Sequence, residues 1–418
     1  MQAERLSRGD QLLEGSHRIH TGPTFLARLF GGGFHKLLDR VDRGLARGRL
    51  TVHLPDGSSR RLGDRAPGFE AEVTIHDWRA LVRAATAGSV GWYQAYEAHE
   101  WSSPDAVPFF ALMMANAAEL GDTGRAKGPW RLAGRVLRWF SRNTRKQAER
   151  NVHAHYDLGN DFYSTWLDPT MSYSSGYRFG EGGLEQAQRN KWQRLAERLG
   201  NPGTLLEIGC GWGSLANFFA CRGSRVTAIS LSDQQLNWAR FNQSDAIDFR
   251  HQDYRDVGKE AGERFDAVVS VEMVEAVGRE YWPSFIACIA RCLKPGGRAA
   301  IQWIAMRDDV FDAYARNADF IQAYIFPGGM LIKESEFRRL AAKHGLSWED
   351  QENFSRDYAE TLKAWRANFD NAVAEGRLPE GFDERFVRLW RFYLMYCEGG
   401  FRSGGITVGQ ATLVKAAA

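Results

Sequence analysis

Two short stretches of this chain carry residues whose order suits chemistry on a bound ligand. Glu207-Ile208-Gly209-Cys210-Gly211-Trp212-Gly213 sets three glycines at alternate positions behind an acidic residue, with a helix expected from Ser214. Glycines there let backbone amides approach a ligand at the carboxyl end of a strand, where open α/β sheets bind ligands. Ser270-Val271-Glu272-Met273-Val274-Glu275-Ala276 places Glu275 after a later strand, at the same end of the sheet. An acid at that point suits either work on a substrate or simply the positive end of a helix.

Both stretches need a parallel sheet to hold them. From about residue 203 strands and helices alternate, the mark of such a sheet. Thr204–Ile208 reads as its first strand, Arg225–Ile229 as the second and Phe265–Val271 as a later one. Lys294-Pro295-Gly296-Gly297 then turns the chain into Arg298–Ile304. The glycine spacing differs from the Gly-x-Gly-x-x-Gly of dinucleotide binders, and a second strand follows at roughly the right distance. The loop therefore points to S-adenosylmethionine rather than NAD, the plain alternative being a structural glycine turn. Ser230-Leu231-Ser232-Asp233-Gln234-Gln235 stands at the end of the second strand, with polar groups suited to ribose hydroxyls. Gln252-Asp253-Tyr254-Arg255-Asp256 follows the third strand and is placed to flank an adenine.

The amino-terminal third is patterned differently. Leu50–Leu54 followed by Pro55-Asp56-Gly57 signals a small hairpin, and residues 106 to 120 read as one apolar helix. Between Arg125 and Arg150 stand nine Lys or Arg residues against one acid, Glu149. Arg131, Arg135, Arg138, Arg142 and Arg145 recur at helical spacing, opposite Trp130, Leu137, Trp139 and Phe140. A basic amphipathic helix of this kind suits an anionic membrane surface, and a solvated linker helix would carry the same charge. No nucleic-acid motif accompanies it.

A chain of 418 residues favours two domains, and 44% hydrophobic residues suffice for ordinary cores. With 54 basic and 51 acidic residues, net charge names no partner. There is no signal-peptide pattern at the start and no apolar run long enough to span a bilayer. Cys210, Cys221, Cys288, Cys292 and Cys397 show no metal-type spacing, so free thiols in a reducing cytoplasm are expected. His153 and His155 read as structural hydrogen-bonders, and no metal is expected. Fourteen tryptophans and 25 phenylalanines suit a bulky core, with apolar substrate or membrane contact as the other use.

Several separated motifs, in order, resemble the cyclopropane fatty acid synthase and mycolic acid cyclopropane synthase family. They are the glycine loop; Asn151 to Tyr163, which contains His155-Tyr156-Asp157-Leu158-Gly159-Asn160; Leu167-Asp168-Pro169 to Tyr173-Ser174-Ser175; and Tyr324-Ile325-Phe326-Pro327-Gly328-Gly329. The resemblance spans about 150 to 410, and Gly88 to Trp101 is more faintly similar to the lipid-binding amino-terminal domain of the bacterial synthases. It implies a Rossmann-like class I methyltransferase fold of the α/β class, with helices on both faces of a mostly parallel sheet, plus a smaller α+β amino-terminal domain. The expected divisions are 1–124 for lipid or membrane binding, 125–150 for a basic linker helix and 151–418 for catalysis. It further implies that Tyr173, Ser174, Gly209, Gly211, Ser230, Leu231, Gln235, Tyr254 and Arg255 contact the cofactor, alongside Glu207 and Gly213 of the loop.

The reaction so implied is attack of an acyl-chain alkene on the sulfonium methyl, followed by proton removal by a bound bicarbonate as a ring closes. An alkene is a poor nucleophile, so the site must exclude water and align the double bond. Carboxylates and aromatic faces would stabilise the developing cation. The family's bicarbonate pocket has a Cys, a Glu, a His and a Tyr, where this chain reads Ser175, Glu275, Gln302 and Tyr358, with Ile304 for a backbone contact. The family's Glu-His pair becomes Glu275-Ala276. Ser and Gln still donate hydrogen bonds to an anion, but Gln302 cannot change charge. The expected function is cyclopropane formation on unsaturated phospholipids by a cytoplasmic enzyme attached peripherally to the inner face of the membrane, with a homodimer expected by resemblance alone. The alternatives are C-methylation of the same chains, N-methylation of a small molecule, and a non-catalytic membrane-binding homologue.

Overall fold

The computed structural model describes residues 8–13, 31–121, 144, 158–259, 264–317 and 319–417. The basic stretch with Arg131 to Arg145, and His153 and His155, lie outside the described residues, Thr144 excepted. The chain divides into two compact units. One draws on the amino-terminal stretch up to 121, on Asp309–Pro327 and on Glu380–Ile406. The other is built from 158–308, 328–379 and 407–417.

In the first unit, β1 (Arg49–His53) and β2 (Ser59–Gly63) form the expected hairpin around Pro55-Asp56-Gly57. With β3 (Glu70–Ile75) and β4 (Trp101–Ser102) they make a mixed sheet in the order β2-β1-β3-β4. Helices α1 (Gly31–Gly44), α2 (Arg79–Glu97) and α3 (Val107–Ala115) accompany it. The apolar run 106–120 is not one helix: it breaks at Asn116, and a short turn of helix, Ala117–Leu120, follows. The cause is local. The fully buried Asn116 amide accepts from the Arg47 amide at 3.0 Å and donates to the carbonyls of Arg47 and Leu112 at 2.9 Å each. Those bonds hold Asn116 at φ −106°, ψ 17°, outside helical geometry. Aromatic packing fills this unit's core, with Tyr93 against Tyr324 at 4.6 Å and Phe392 against Phe320 and Phe110 at 4.7 and 5.1 Å. Phe392 belongs to the helix Glu384–Arg402.

The second unit is the expected α/β fold. Seven strands run in the order β10-β11-β9-β8-β5-β6-β7. They are β5 (Thr204–Ile208), β6 (Arg225–Ser230), β7 (Asp248–His251), β8 (Phe265–Val271), β9 (Leu293–Met306), β10 (Leu346–Asn353) and β11 (Ile406–Lys415). The pairs from β9 through β8, β5 and β6 to β7 are parallel, whereas β10 is antiparallel to β11. The Lys294–Gly297 turn sits inside β9 as an irregularity, so that Phe265 pairs with Leu293 and Ala267 already pairs with Arg298. The central strands are apolar along their length because both faces are covered. Leu195 and Leu199 of α4 (Gly183–Leu199), Phe219 of α5 (Ser214–Ala220) and Leu236 of α6 (Asp233–Asn242) pack with Leu205, Val226 and Val269 of the sheet. Further helices are α7 (Trp282–Cys292), α8 (Glu334–Lys343) and α9 (Ser355–Ala374). No helix among the described residues is long and apolar enough to cross a membrane.

Candidate active site

At the carboxyl ends of β5, β6 and β8 lies a cavity of about 200 Å³. Its lining includes Tyr173, Ser174, Glu207, Gly209, Gly211, Ser230, Leu231, Gln235 and Tyr254, all expected from the sequence. Two expected residues lie elsewhere. Gly213 packs against Phe249 and Ala239, and Arg255 pairs with Asp253 at 2.5 Å while its guanidinium lies over the rings of Tyr254 and Tyr281.

The glycine loop is shaped for a close ligand. The amides of Gly209 and Cys210 both donate to the Ile229 carbonyl at 3.0 Å, which clamps the loop to the end of β6. Gly209 has φ +83°, and a side chain there would strike Met273 at 2.7 Å. Gly211 has φ +52° with open space where a Cβ would project. At the floor, Glu207 is buried, and its Oε2 has no hydrogen-bond partner among the described residues. Burial pushes its carboxyl up to about 8, opposed by the charge of Lys191. Lys191, on α4, was not anticipated. It is buried, lines the cavity and donates to Ser174 Oγ at 2.5 Å and to Gln188 Oε1. Burial pulls its ammonium down to about 8, against the charges of Glu272, Asp168 and Glu207. A buried carboxylate that accepts from the Ala216 amide and keeps Oε2 without a hydrogen bond among the described residues, beside open glycine backbone, fits the cationic amino-acid end of S-adenosylmethionine. Ser230 and Gln235 offer polar groups for a ribose: Ser230 Oγ donates to Gln235 Oε1 at 3.4 Å, and Ser232 caps α6.

Beside the cavity, aromatic rings form a continuous wall. Tyr173 packs on Trp365 at 5.3 Å and on Tyr163 and Trp166 at 5.5 Å, with Trp212 against Tyr163 at 5.1 Å. Asn160 fixes one corner by accepting from the Trp212 indole at 2.8 Å.

The structure brings Ser175, Gln302 and Tyr358 together, and it does so around Glu272 rather than around an open anion site. Oε1 of Glu272 accepts from the Ser175 amide at 2.9 Å and from Gln302 Nε2 at 2.7 Å, and Oε2 accepts from the Tyr358 hydroxyl at 2.7 Å. Gln302 is held in that orientation because its Oε1 accepts from Gln410 Nε2 at 2.9 Å; Gln410 Oε1 in turn accepts from Arg198 at 3.2 Å. Glu272 itself is half-buried, lines the cavity and has φ +49°, a conformation that costs a non-glycine residue energy. Burial raises its carboxyl above the usual range, and the hydrogen bond from Tyr358 is the largest opposing influence. Glu275 is separate: one oxygen accepts from the Ile304 amide, the other has no partner among the described residues, and burial with repulsion from Glu272 pushes it up to about 8. The donors expected to hold a bicarbonate are thus already taken by a protein carboxylate, and as the cluster stands they do not fit that anion. The only sequence signal for Glu272 is a second acid three residues before Glu275.

Comparison with known proteins gives the family. The family model for mycolic acid cyclopropane synthetase matches residues 143–411. A tuberculostearic acid methyltransferase of Mycobacterium tuberculosis is 35% identical over 405 residues, covering 88% of this chain and 89% of that one. The cyclopropane-fatty-acyl-phospholipid synthase of Escherichia coli is 33% identical over 351 residues, covering 82% and 88%. The crystal structure of a mycolic acid cyclopropane synthase complexed with SAH and CTAB superposes with a TM-score of 0.58 at 28% identity, covering 64% of this chain and 98% of that one.

Proposed function

The chain belongs to the mycolic acid cyclopropane synthetase family and is an S-adenosylmethionine-dependent enzyme of lipid alkylation, and from that premise we propose that it alkylates the double bond of unsaturated phospholipid acyl chains. The observation that carries this reading is the cavity itself, whose lining brings together glycine backbone, Glu207 with one oxygen left without a hydrogen bond among the described residues, Glu272 and Tyr173. When bound, S-adenosylmethionine supplies an electrophilic methyl carbon on a sulfonium. Glu207, Gly209, Gly211, Ser230, Gln235 and Tyr254 would hold it. Tyr173, backed by Tyr163, Trp166 and Trp365, keeps water from the alkene and offers ring faces to positive charge.

The product follows from the order of two events. Loss of a proton from the new methyl carbon before charge migrates closes a cyclopropane, the outcome expected from the sequence. Loss after a hydride shift leaves a methylene-branched chain. Two observations favour this second reading: Ser175 and Gln302 stand where the resemblance expects Cys and His, both bonded to Glu272, and a relative matched over 89% of its length is named a methyltransferase. Peripheral attachment to the inner membrane face through Arg131 to Arg145, and a homodimer, belong to this reading and rest on resemblance and charge pattern.

The test is to incubate the purified protein with methyl-labelled S-adenosylmethionine and monounsaturated phospholipid vesicles, then to identify the acyl product by mass spectrometry and NMR. A labelled ring supports the first product and a labelled branched chain the second. Label transferred to soluble amines instead would replace the lipid reading with N-methylation. Failure to bind S-adenosylmethionine would leave a non-catalytic membrane-binding protein.

A further inference from the structure

The disagreement between the expected bicarbonate pocket and the observed cluster has a chemical meaning. A base that removes a proton from a carbon held in the cavity must present a free lone pair to it, stay fixed, and be partly shielded from water. Within the cluster Glu272 meets each requirement. Among Ser175, Gln302, Tyr358 and Glu272, it alone lines the cavity. Its Oε1 takes two hydrogen bonds and its Oε2 one, so Oε2 retains a lone pair. Its orientation is enforced from behind by the chain Arg198–Gln410–Gln302, which leaves the Gln302 amide nitrogen only one way to point. Its backbone adopts a positive φ to bring the carboxylate there, and its own amide donates to the Gln302 carbonyl at 2.9 Å. Strain held at one residue by this many directed bonds marks a position whose geometry is over-determined by its surroundings.

We propose that the Glu272 carboxylate is the base of the reaction, built into the chain at the place where the family resemblance puts an exchangeable bicarbonate, so that this enzyme needs no bicarbonate. The inference rests on the alkylation reading above. In the step it performs, a C–H bond of the transferred methyl carbon breaks. The electron pair becomes the last ring C–C bond, or the C=C of a methylene branch, and cancels the positive charge on the chain. The proton passes to Glu272 Oε2 and from there to solvent. Burial raises this carboxyl above its ordinary range, and the hydrogen bonds from Tyr358, the Ser175 amide and Gln302 oppose that rise. Its charged neighbours are Lys191, whose charge favours ionised Glu272, and Glu275, whose own carboxyl is raised by the Glu272 charge.

Three proteins decide the matter: wild type, Glu272→Gln and Glu272→Gly. The glycine variant removes the carboxylate and relieves the positive φ, and circular dichroism with S-adenosylmethionine binding checks that it folds. Turnover on phospholipid vesicles is measured in carbon-dioxide-free buffer and again with added bicarbonate. The expected result is a wild-type rate unaffected by bicarbonate and a Glu272→Gln rate lower by about 10²–10⁴-fold with S-adenosylmethionine affinity retained. Glu272→Gly should regain activity when bicarbonate is added. A wild-type enzyme silent without bicarbonate, or Glu272→Gln at full rate, overturns the proposal. Carbon-13 NMR titration with labelled bicarbonate gives a readout independent of turnover: wild type should not bind it and Glu272→Gly should. Should wild type label no lipid, the alkylation reading fails by itself, and bicarbonate binding to wild type in the titration would still overturn the placement of Glu272.

Discussion

Replacing Tyr358 with Phe removes one hydroxyl from the cluster and leaves the ring packed near Trp365 at 6.1 Å. The hydroxyl donates to Glu272 Oε2 at 2.7 Å, a neutral donor on a charged acceptor. Such a bond contributes about 1.5–3 kcal/mol. At about 1.4 kcal/mol per pKa unit, its loss should raise the Glu272 carboxyl by about one to two units. The direction is set by which form the bond favours. Burial already raises this carboxyl and the Tyr358 bond is the strongest opposing influence, so its removal leaves burial less opposed. A base works only when ionised, so the acid limb of kcat/KM against pH should move upward by that amount. Below both values the variant should be about 10–100-fold slower, with most of the rate restored on the alkaline plateau. The assay is labelled-methyl transfer to vesicles over a pH series, with S-adenosylmethionine affinity measured at each pH. An unmoved acid limb with an equal loss at every pH would refute the reasoning and make Tyr358 itself the acting group. A limb moving downward would contradict the direction of the bond.

Two further outcomes follow from buried groups. Glu207, pushed up to about 8, holds its proton at neutral pH until a cation arrives, so binding S-adenosylmethionine should release a proton. Affinity should rise with pH toward 8, by at most about tenfold per unit, and Glu207→Gln should flatten that dependence. Titration calorimetry in buffers of different ionisation enthalpy counts the proton, and heats independent of buffer would refute the assignment. Asn116→Ala strips three hydrogen bonds made by a fully buried amide and should cost about 2–4 kcal/mol, read by urea unfolding. A loss under about 1 kcal/mol would show that the break between the two helices does not depend on that amide.

The sheet is legible in the sequence because strands covered on both faces are continuous apolar runs. Thr204–Ile208 and Phe265–Val271 can be read to the residue for that reason. The cofactor end of the cavity is equally legible, since the loop carries its glycines at fixed spacing next to Glu207. Apolar patterning is blind to a single polar residue inside a run, which is how Asn116 splits a helix that reads as whole. It is also blind to which core a segment joins, so nothing in Asp309–Pro327 or Glu380–Ile406 announces that both pack with the amino-terminal stretch. Glu272 is the deepest omission. Its role depends on a backbone angle and on donors from Ser175, Gln302 and Tyr358, which come from three distant parts of the chain. Only folding puts them within one bond of each other.

That scattered make-up of the amino-terminal unit bears on how the protein is born. The ribosome releases β1 to β4 and α3 long before it reaches the helix Glu384–Arg402, whose Phe392 and Tyr396 close the aromatic cluster around Phe110. The first segment to emerge is therefore among the last to be completed, against the usual order in which domains fold one after another behind the exit tunnel. Contacts of such sequence separation slow folding and keep apolar surface waiting. The nascent chain spends most of its synthesis with Phe110 and Tyr93 lacking their partners, a natural client for whatever shelters unfinished proteins.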